Sequence, residues 1–515
     1  MNPDLSAGIL SRLRVLLVTT LMAGACAPPA RQPTPPPQPP AAPEVRPGEP
    51  MPPEVAVSPL AEAVEIRRTT YGVPHILAET LEAAGFGLAW VMMEDYREDV
   101  PKQLLEANGR WAAVEGASAL DDDFPGRLAH DYAVEVYPGL PADVRAVLRG
   151  FASGLNDFIR LHGSVLPPWV RPEFTPQDVA AKDLRVWDQG AVRELRRQRE
   201  ASRRPDPSHP VPRISELRDP RGGDSNPGRP WEDLNADVGS NAWAFAPERT
   251  RSGKAILVRN PHLSFTSGYY EAHLTVPGVL NFYGDYRLGG PFGIIGGFND
   301  RLGWSTTNNY GDPDQIYALR VDPGNPQAYL FDGASIPVQT KQVSVEYLDG
   351  DTLAQETRAF RFTPLGPVLM EAPDTLFVLK SAALRQHRIS EQWLRMMRAR
   401  NLEEWKEAMR IRAKYSSNFT YADADGNIFY VWNASVPALP HPPSDNGPVF
   451  ASGQEEVWTE LHPWDELPQL LNPRGGYVQN ANDPPYYTNL NEILDPASFP
   501  AYFPKPRLRL RSQHS

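Results

Sequence analysis

Asp237-Val238-Gly239-Ser240-Asn241-Ala242-Trp243 is the stretch on which the reading of this chain turns. Residues 241–246 alternate large and small, with Asn241, Trp243 and Phe245 on one face and Ala242, Ala244 and Ala246 on the other, the period of a strand. A serine at the entry of such a strand is held by a rigid element. If the Gly239–Ser240 bond is broken, that serine carries both a hydroxyl and a free amine. Taken alone, a Gly-Ser pair is more readily an ordinary loop dipeptide than a site. The rest of the chain has to decide.

Upstream of this stretch, residues 200–239 are rich in Pro, Gly, Asp and Arg with almost no apolar periodicity, and read as a linker between a body at 57–199 and a second at 240–515. The 515 residues suffice for one very large domain or two to three ordinary ones. With 63 acidic and 51 basic side chains the net charge is −12, which argues against a nucleic-acid partner. Residues 1–26 have the order of an export signal: Arg12 and Arg14, an apolar run over 15–22, then Ala23-Gly24-Ala25-Cys26. The run is too short to span a bilayer permanently. Cys26 is the only cysteine, so the mature body has neither a disulfide nor a cysteine-based metal site. Its place after small residues resembles a bacterial lipoprotein signal, in which the thiol receives lipid. Ala23 stands where that signal prefers leucine, which leaves ordinary signal cleavage open. The expectation is an exported, periplasmic protein tethered through Cys26, with membrane contact by that anchor alone. Proline-dominated residues 27–56 form a stiff, extended tether.

In the first body, residues 64–69 alternate as a strand and Tyr71-Gly72-Val73-Pro74-His75-Ile76 turns into another. Residues 80–105 suit one helix, in which Gly85-Phe86-Gly87 marks close packing. Val144, Val147, Leu148, Phe151, Leu155, Phe158 and Ile159 form the stripe of a helix over 141–163 that Gly163 can cap. Thr175-Pro176-Gln177-Asp178 opens a further helix, with Thr175 as cap. The second body is strand-rich, with expected strands at 255–258, 269–276, 279–283 and 292–295 and helices near 390–397 and 402–412. Residues 418–422 and 428–433 form a hairpin across Asp423-Ala424-Asp425-Gly426-Asn427. Tyr421 and Trp432 fall where a calcium loop needs its first and last ligands, so this is a plain turn. The final residues, 507–515, look like a helix being entered.

There is no Gly-x-Ser-x-Gly elbow, no His-Glu-x-x-His helix and no phosphate loop, and the ten histidines are scattered singly. The glycines of 289–297 lack dinucleotide spacing and are better explained by close backbone packing. What does recur, in order, is a set of landmarks: residues 64–76 with Gly85-Phe86-Gly87, Gly239-Ser240-Asn241-Ala242-Trp243, Asn260-Pro261-His262, Gly303-Trp304-Ser305-Thr306-Thr307-Asn308, and Asn418 with Tyr421-Ala422-Asp423. Together these resemble the penicillin acylase family of N-terminal-nucleophile hydrolases. His273-Leu274-Thr275-Val276-Pro277-Gly278 and Val478-Gln479-Asn480-Ala481-Asn482-Asp483 place the likeness nearer to the acyl-homoserine-lactone and aculeacin acylases.

The resemblance implies an α+β fold, a four-layer αββα sandwich. It implies self-cleavage between Gly239 and Ser240, removal of the 200–239 spacer, and two fragments that stay together as a heterodimer. Ser240 is then the nucleophile toward a small-molecule acyl amide, with its own α-amine as base. The backbone N–H of Asn308 and the side-chain amide of Asn418 are the implied oxyanion donors, His262 the active-site histidine, and Leu263 a candidate lining residue of an acyl pocket. Gly239 suits cleavage because a residue without Cβ permits strained backbone. No cofactor is expected: Asp312 and Asp314 are present, but Gln315 replaces an acid that calcium-dependent relatives carry, so calcium is not predicted. Family members continue for roughly two hundred residues further, so the 240–515 region is expected to lack part of its sandwich. Three functions are carried forward: hydrolysis of N-acyl amides such as N-acyl homoserine lactones, a β-lactam acylase with the same mechanism, and a non-catalytic lipid-anchored binding or scaffold protein.

Overall fold

The computed structural model describes residues 58–515 apart from 172, 204–238, 265, 310, 444–446 and 509, with the main chain alone for 201–203. The signal, Cys26, the tether up to 56 and most of the spacer lie outside the described residues.

β1 (Val64–Arg68) and β2 (Pro74–Ala78) form a hairpin across a turn in which Gly72 takes a φ of 86°. α1 (Leu81–Asp95) starts on Thr80, whose hydroxyl accepts the Ala83 N–H. The single helix expected over 80–105 is in fact two, because α2 (Asp99–Ala107) begins after a break at 96–98. Pro101 accounts for the correction. Inside a continuous helix it would forfeit a hydrogen bond and clash with the preceding turn, whereas in the first turn of α2 its missing N–H costs nothing. Beyond α3 (Ala112–Glu115) and α4 (Leu120–Val136), α5 (Ala142–His162) lies along α1 with its whole expected apolar stripe buried. Glycine sets how closely they pack: a Cβ on Gly85 would run into the Val147 carbonyl, and one on Gly150 into that of Glu82. Gly163 is no left-handed cap, since its φ is −56° and the chain runs on into a 3-10 turn. α6 (Pro176–Ala181) has the expected cap as a reciprocal box between Thr175 and Asp178, and α7 (Gln189–Arg203) continues past Arg199.

Downstream come β3 (Gly239–Phe245), β4 (Ile256–His262), β5 (Tyr269–Val276), β6 (Leu280–Arg287), β7 (Gly296–Phe298) and β8 (Leu302–Thr307). A run of hairpins follows: β9 (Asp314–Asp322), β10 (Asn325–Phe331), β11 (Ala334–Pro337), β12 (Gln339–Asp349), β13 (Thr352–Thr363), β14 (Gly366–Ala372) and β15 (Thr375–Ser381). Then come α8 (Ile389–Arg398), α9 (Leu402–Met409), β16 (Ser416–Asp423), β17 (Ile428–Ala434), β18 (Val449–Phe450), β19 (Gln469–Leu471), β20 (Tyr477–Asn480) and α10 (Leu510–His514). The strand expected at 292–295 is a loop with Phe292 and Ile294 buried, and pairing begins only at Gly296. There the chain is squeezed between neighbours, and a Cβ on Gly297 would strike the Tyr283 carbonyl. The 423–427 segment is the plain turn expected, with an Asp423 carboxylate oxygen accepting the N–H groups of Asp425 and Asn427.

Among the described residues the strands form three sheets. The largest has nine strands in the order β1-β2-β5-β6-β7-β8-β16-β17-β19, and β2 joins β5 in parallel, His75 opposite His273. Alternate residues of β5 and β6, such as Ala272, Leu274, Phe282 and Tyr286, share one core with the helices. The other face, over β8, β16 and β17, is covered by the three-stranded sheet β20-β3-β4, whose inward residues Ala242 and Ala244 are small and fully buried. An eight-stranded sheet, with β18 added to β9, has its own core around Tyr317, Leu319, Tyr329 and Val378. The protein is therefore α+β, with helices on one side of stacked sheets. The stacking brings the first turn of β3 against the ends of β8 and β16.

Candidate active site

Ser240 is the second residue of β3, points inward with Ala242 and Ala244, and is buried. Its Oγ donates to the Gly239 carbonyl oxygen at 2.6 Å, and its N–H to Asn482 Oδ1 at 2.6 Å. Pairing of β3 with β20 puts Asn480 opposite Ala242, so the segment after β20 leaves the sheet beside the Gly239–Ser240 bond. Asn482 takes a φ of 68°, a conformation that asparagine tolerates better than most residues and that tends to collect at functional sites. Its amide faces two ways, Oδ1 toward Ser240 and Nδ2 to the Asn308 carbonyl at 3.1 Å.

Arg511, from α10, closes the other side. Nη1 donates to Ser240 O at 2.8 Å and Asn241 Oδ1 at 2.6 Å, and Nη2 to Ala481 O at 2.8 Å and Asn482 Oδ1 at 2.6 Å. This fork explains Gly239, and corrects the expectation of strained backbone there. Gly239 lies in extended strand and is absent from the left-handed glycines. What it supplies is room, since a Cβ would stand 2.7 Å from Arg511 Nη2 and 2.8 Å from Asn482 Oδ1.

The other expected residues fall around this pair. Asn308 directly follows β8, and its carbonyl accepts from both Asn482 Nδ2 and Asn418 Nδ2, the latter at 3.2 Å. Asn418 is fully buried behind it. The Tyr430 hydroxyl donates to Asn418 Oδ1 at 2.7 Å, and Asn418 Nδ2 also reaches Thr307 Oγ1 at 3.0 Å and Asn480 Oδ1 at 3.1 Å. Burial holds the Tyr430 phenol far above its usual range, so it stays a donor at neutral pH and fixes which way the Asn418 amide faces. His262 ends β4 opposite Gly239, and by strand alternation sits on the Gly239 and Asn241 side of the sheet; its buried Nδ1 has no hydrogen-bond partner. Leu263 lies just past β4 and is 39 % exposed.

Asp312 and Asp314 are tied together by an Asp314 N–H to Asp312 Oδ1 bond of 3.1 Å. Among the described residues no group of three or more His, Cys, Asp or Glu side chains is placed to hold a metal ion. The arrangement thus sets a hydroxyl against a peptide carbonyl, with two side-chain amides and a guanidinium around it. The sequence reading gave Asn482 and Arg511 no role. Asn482 sat in a landmark stretch, but nothing in either residue's type or spacing signals that it closes on Ser240 from across the chain.

Residues 63–513 match the family model for penicillin amidase. The acyl-homoserine lactone acylase PvdQ of Pseudomonas fluorescens is 28% identical over 486 residues, which cover 84% of this chain and 60% of that protein. The aculeacin-A acylase of Actinoplanes utahensis is 26% identical over 477 residues, covering 82% of this chain and 59% of its own. The chain thus spans about 60% of the length of these relatives. A solved thermostable penicillin G acylase from Alcaligenes faecalis is 24% identical, with a TM-score of 0.42 over 49% of this chain and 46% of its own. A match that takes in both bodies and the Gly239–Ser240 junction between them means that the chain belongs to the penicillin amidase family.

Proposed function

We propose that this protein is a self-processing amide hydrolase in which Ser240, freed as an N-terminus, is the nucleophile toward N-acylated amines. The observation that carries this reading is the Ser240 hydroxyl held 2.6 Å from the Gly239 carbonyl oxygen, with Asn482 Oδ1 accepting the N–H of the same bond and Arg511 donating to the Ser240 carbonyl that follows it. In the first reaction Oγ adds to the Gly239 carbonyl carbon and the peptide nitrogen leaves as the Ser240 amine, giving an ester that water hydrolyses to a Gly239 carboxylate. In the second, the α-amine takes the Oγ proton while Oγ attacks the substrate amide. The substrate amine departs with a proton, and water releases the acyl group. An α-amine suits this task because its reference pKa is about 8 against about 10.4 for lysine, so about a tenth is neutral at pH 7. The neighbouring Arg511 charge favours the neutral form further.

The oxyanion needs preset donors, each worth on the order of 3 kcal/mol in the transition state. In this reading they are the Asn308 N–H and a side-chain amide. Asn482 is better placed for the latter than Asn418, because its Oδ1 touches Ser240 and its Nδ2 bonds, among the described residues, only the Asn308 carbonyl, whereas Asn418 Nδ2 is shared among Thr307, Asn308 and Asn480. The substrate class follows the named activities of the relatives, fatty or aromatic amides such as N-acyl homoserine lactones. The same reading keeps Cys26 as a lipid attachment point and the protein in the periplasm.

The test is the intact mass of the full chain purified as wild type and as Ser240→Ala. Wild type is expected as two associated fragments with serine at the new N-terminus and Ser240→Ala as one chain. A wild-type chain that stays uncut would sink the hydrolase reading in favour of a binding or scaffold module.

A further inference from the structure

The ten histidines stand singly in the sequence, and the parallel pairing of β2 with β5 brings two of them together. His75 and His273 are opposite each other in that register, with Nδ1 to Nδ1 at 2.9 Å, ring centres 4.9 Å apart and ring planes at 81°. Their neighbours Ile76 and Leu274 are buried in the core shared with the helices, so by strand alternation both imidazoles stand on the opposite face of the sheet. There both are half-buried. Leu77, the next residue to Ile76 on β2, shares the outward face and is 45 % exposed, so water reaches this part of the sheet.

The hydrogen bonds around His273 decide which of its nitrogens carries the proton. Asn281 of β6 donates from Nδ2 to Asp300 Oδ1 at 2.7 Å, which turns Asn281 Oδ1 toward β5. That oxygen accepts from Thr275 Oγ1 at 3.2 Å and from His273 Nε2 at 2.7 Å. An amide oxygen only accepts, so His273 Nε2 holds the proton and, in the neutral ring, Nδ1 presents a lone pair. His75 Nδ1 is then the donor of the pair. A carboxylate that orients an amide, which in turn fixes the tautomer of a histidine, is the outer support that metal-ligating imidazoles have.

The spacing selects among ions. With metal–nitrogen bonds of about 2.0 Å, two ligands at a right angle stand about 2.8 Å apart, and two at the tetrahedral angle about 3.3 Å. The 2.9 Å separation fits the right angle, the arrangement of Cu(II) and Ni(II), whereas a tetrahedral Zn(II) has to spread the two rings. Binding needs no net loss of a proton: neutral His75 moves its proton from Nδ1 to Nε2 and turns the freed lone pair to the ion. The cation nearest in register is already neutralised, since Arg67, opposite His75 on β1, donates to Glu65 at 2.5 Å.

We propose that His75 and His273 form a binding site for a divalent copper or nickel ion, with water in the remaining positions. The site goes beyond the hydrolase reading and does not rest on it. Having two protein ligands, it takes up and releases its ion rather than holding the fold together. His75 precedes the Gly239–Ser240 bond and His273 follows it, so in a cleaved chain the ion ties one fragment to the other.

The test uses the full chain, free of any polyhistidine tag and stripped with EDTA. Calorimetry with Ni(II) is expected to show one equivalent bound, at least tenfold more weakly in His75→Gln and in His273→Gln. Asn281→Ala, which removes the acceptor from His273 Nε2, should weaken binding by about tenfold. Electron paramagnetic resonance of wild type with less than one equivalent of Cu(II) should show coupling to two imidazole nitrogens, a readout that depends on neither a variant nor activity. Ser240→Ala keeps both histidines and should bind as wild type does, so failure of the hydrolase reading leaves this test standing. No saturable binding, an affinity that survives both histidine substitutions, or a copper spectrum without two-nitrogen coupling would overturn the site and leave the pair as a hydrogen bond between strands.

Discussion

Replacing Gly239 with alanine separates two explanations of why glycine precedes Ser240. Gly239 is in extended strand, so alanine meets no conformational penalty there, and any effect must come through space. The new Cβ would lie 2.7 Å from Arg511 Nη2, roughly 0.8 Å inside an ordinary contact of about 3.5 Å. Arg511 has a flexible stem, but its fork is fixed by four hydrogen bonds of 2.6 to 2.8 Å. Moving Nη2 by that amount stretches its bonds to Ala481 O and Asn482 Oδ1 to roughly 3.4–3.6 Å, the limit of useful geometry. Losing two charge-assisted bonds of about 1.5 kcal/mol each removes about 3 kcal/mol, which slows self-cleavage by about 10²-fold if that support is felt fully in the transition state. The assay is the rate of conversion of full-length chain to fragments, followed by intact mass. Because the harm passes through Arg511, Gly239→Ala should cost little further in an Arg511→Ala background. Processing of Gly239→Ala at the wild-type rate, or an undiminished cost in the double variant, would refute this reasoning.

The two asparagines should separate by readout. Asn482→Ala is expected to reduce turnover by about 10²- to 10³-fold with a modest change in melting temperature, whereas Asn418→Ala, which strands the buried Tyr430 hydroxyl and Thr307, should chiefly destabilise by about 1–3 kcal/mol. A reversed pattern would restore Asn418 as the donor. Asp123, buried in α4 and accepting the Ala112 N–H at 2.5 Å, is pushed up to about 7 by burial, with the charges of Glu106 and Asp122 adding to it. Its folded pKa exceeds the ordinary unfolded value of about 3.9, so the folded state holds the proton more tightly and loses stability as pH rises from about 4 to about 7, with no further loss above. Melting temperatures of wild type and Asp123→Asn over that interval should diverge in favour of the variant, and a constant or narrowing gap would count against the assignment.

Where local pattern and local packing agree, the fold is legible in the sequence. The α5 stripe, the Thr175 cap, the β16–β17 hairpin and the face assignment in β3 are all set by periodicity or capping chemistry within a few residues. The errors lie where tertiary contacts intervene. Pro101 splits a helix that composition alone would continue, and pairing begins at Gly296 rather than within the apolar run before it. The eight-stranded sheet was not among the sequence expectations, although the Asp349-Gly350-Asp351 turn between β12 and β13 is a local hairpin signal. Around the Gly239–Ser240 bond, Ser240 and Asn308 were visible because each lies in a quotable motif at a strand end; His262 lies in one too, but strand alternation puts it on the other face of β3–β4 from Ser240. Arg511 was not, since its importance comes from a contact across 271 positions that no local pattern encodes.

The parallel pairing of β2 with β5 has a consequence for reaction order. Strands from before and after the Gly239–Ser240 bond share one sheet and one core, so the uncut chain folds as a single molecule at a rate independent of its concentration. Cut at that bond, the same sheet joins two polypeptides, and once they are parted their reunion is a bimolecular encounter. Thermal unfolding of the processed form should then be hard to reverse in dilute solution, with an apparent melting point that rises with protein concentration, while an uncleavable chain of nearly identical structure shows neither behaviour. Processing would fix the order of events: the protein assembles once, as one chain, and afterwards persists by the slowness of its unfolding.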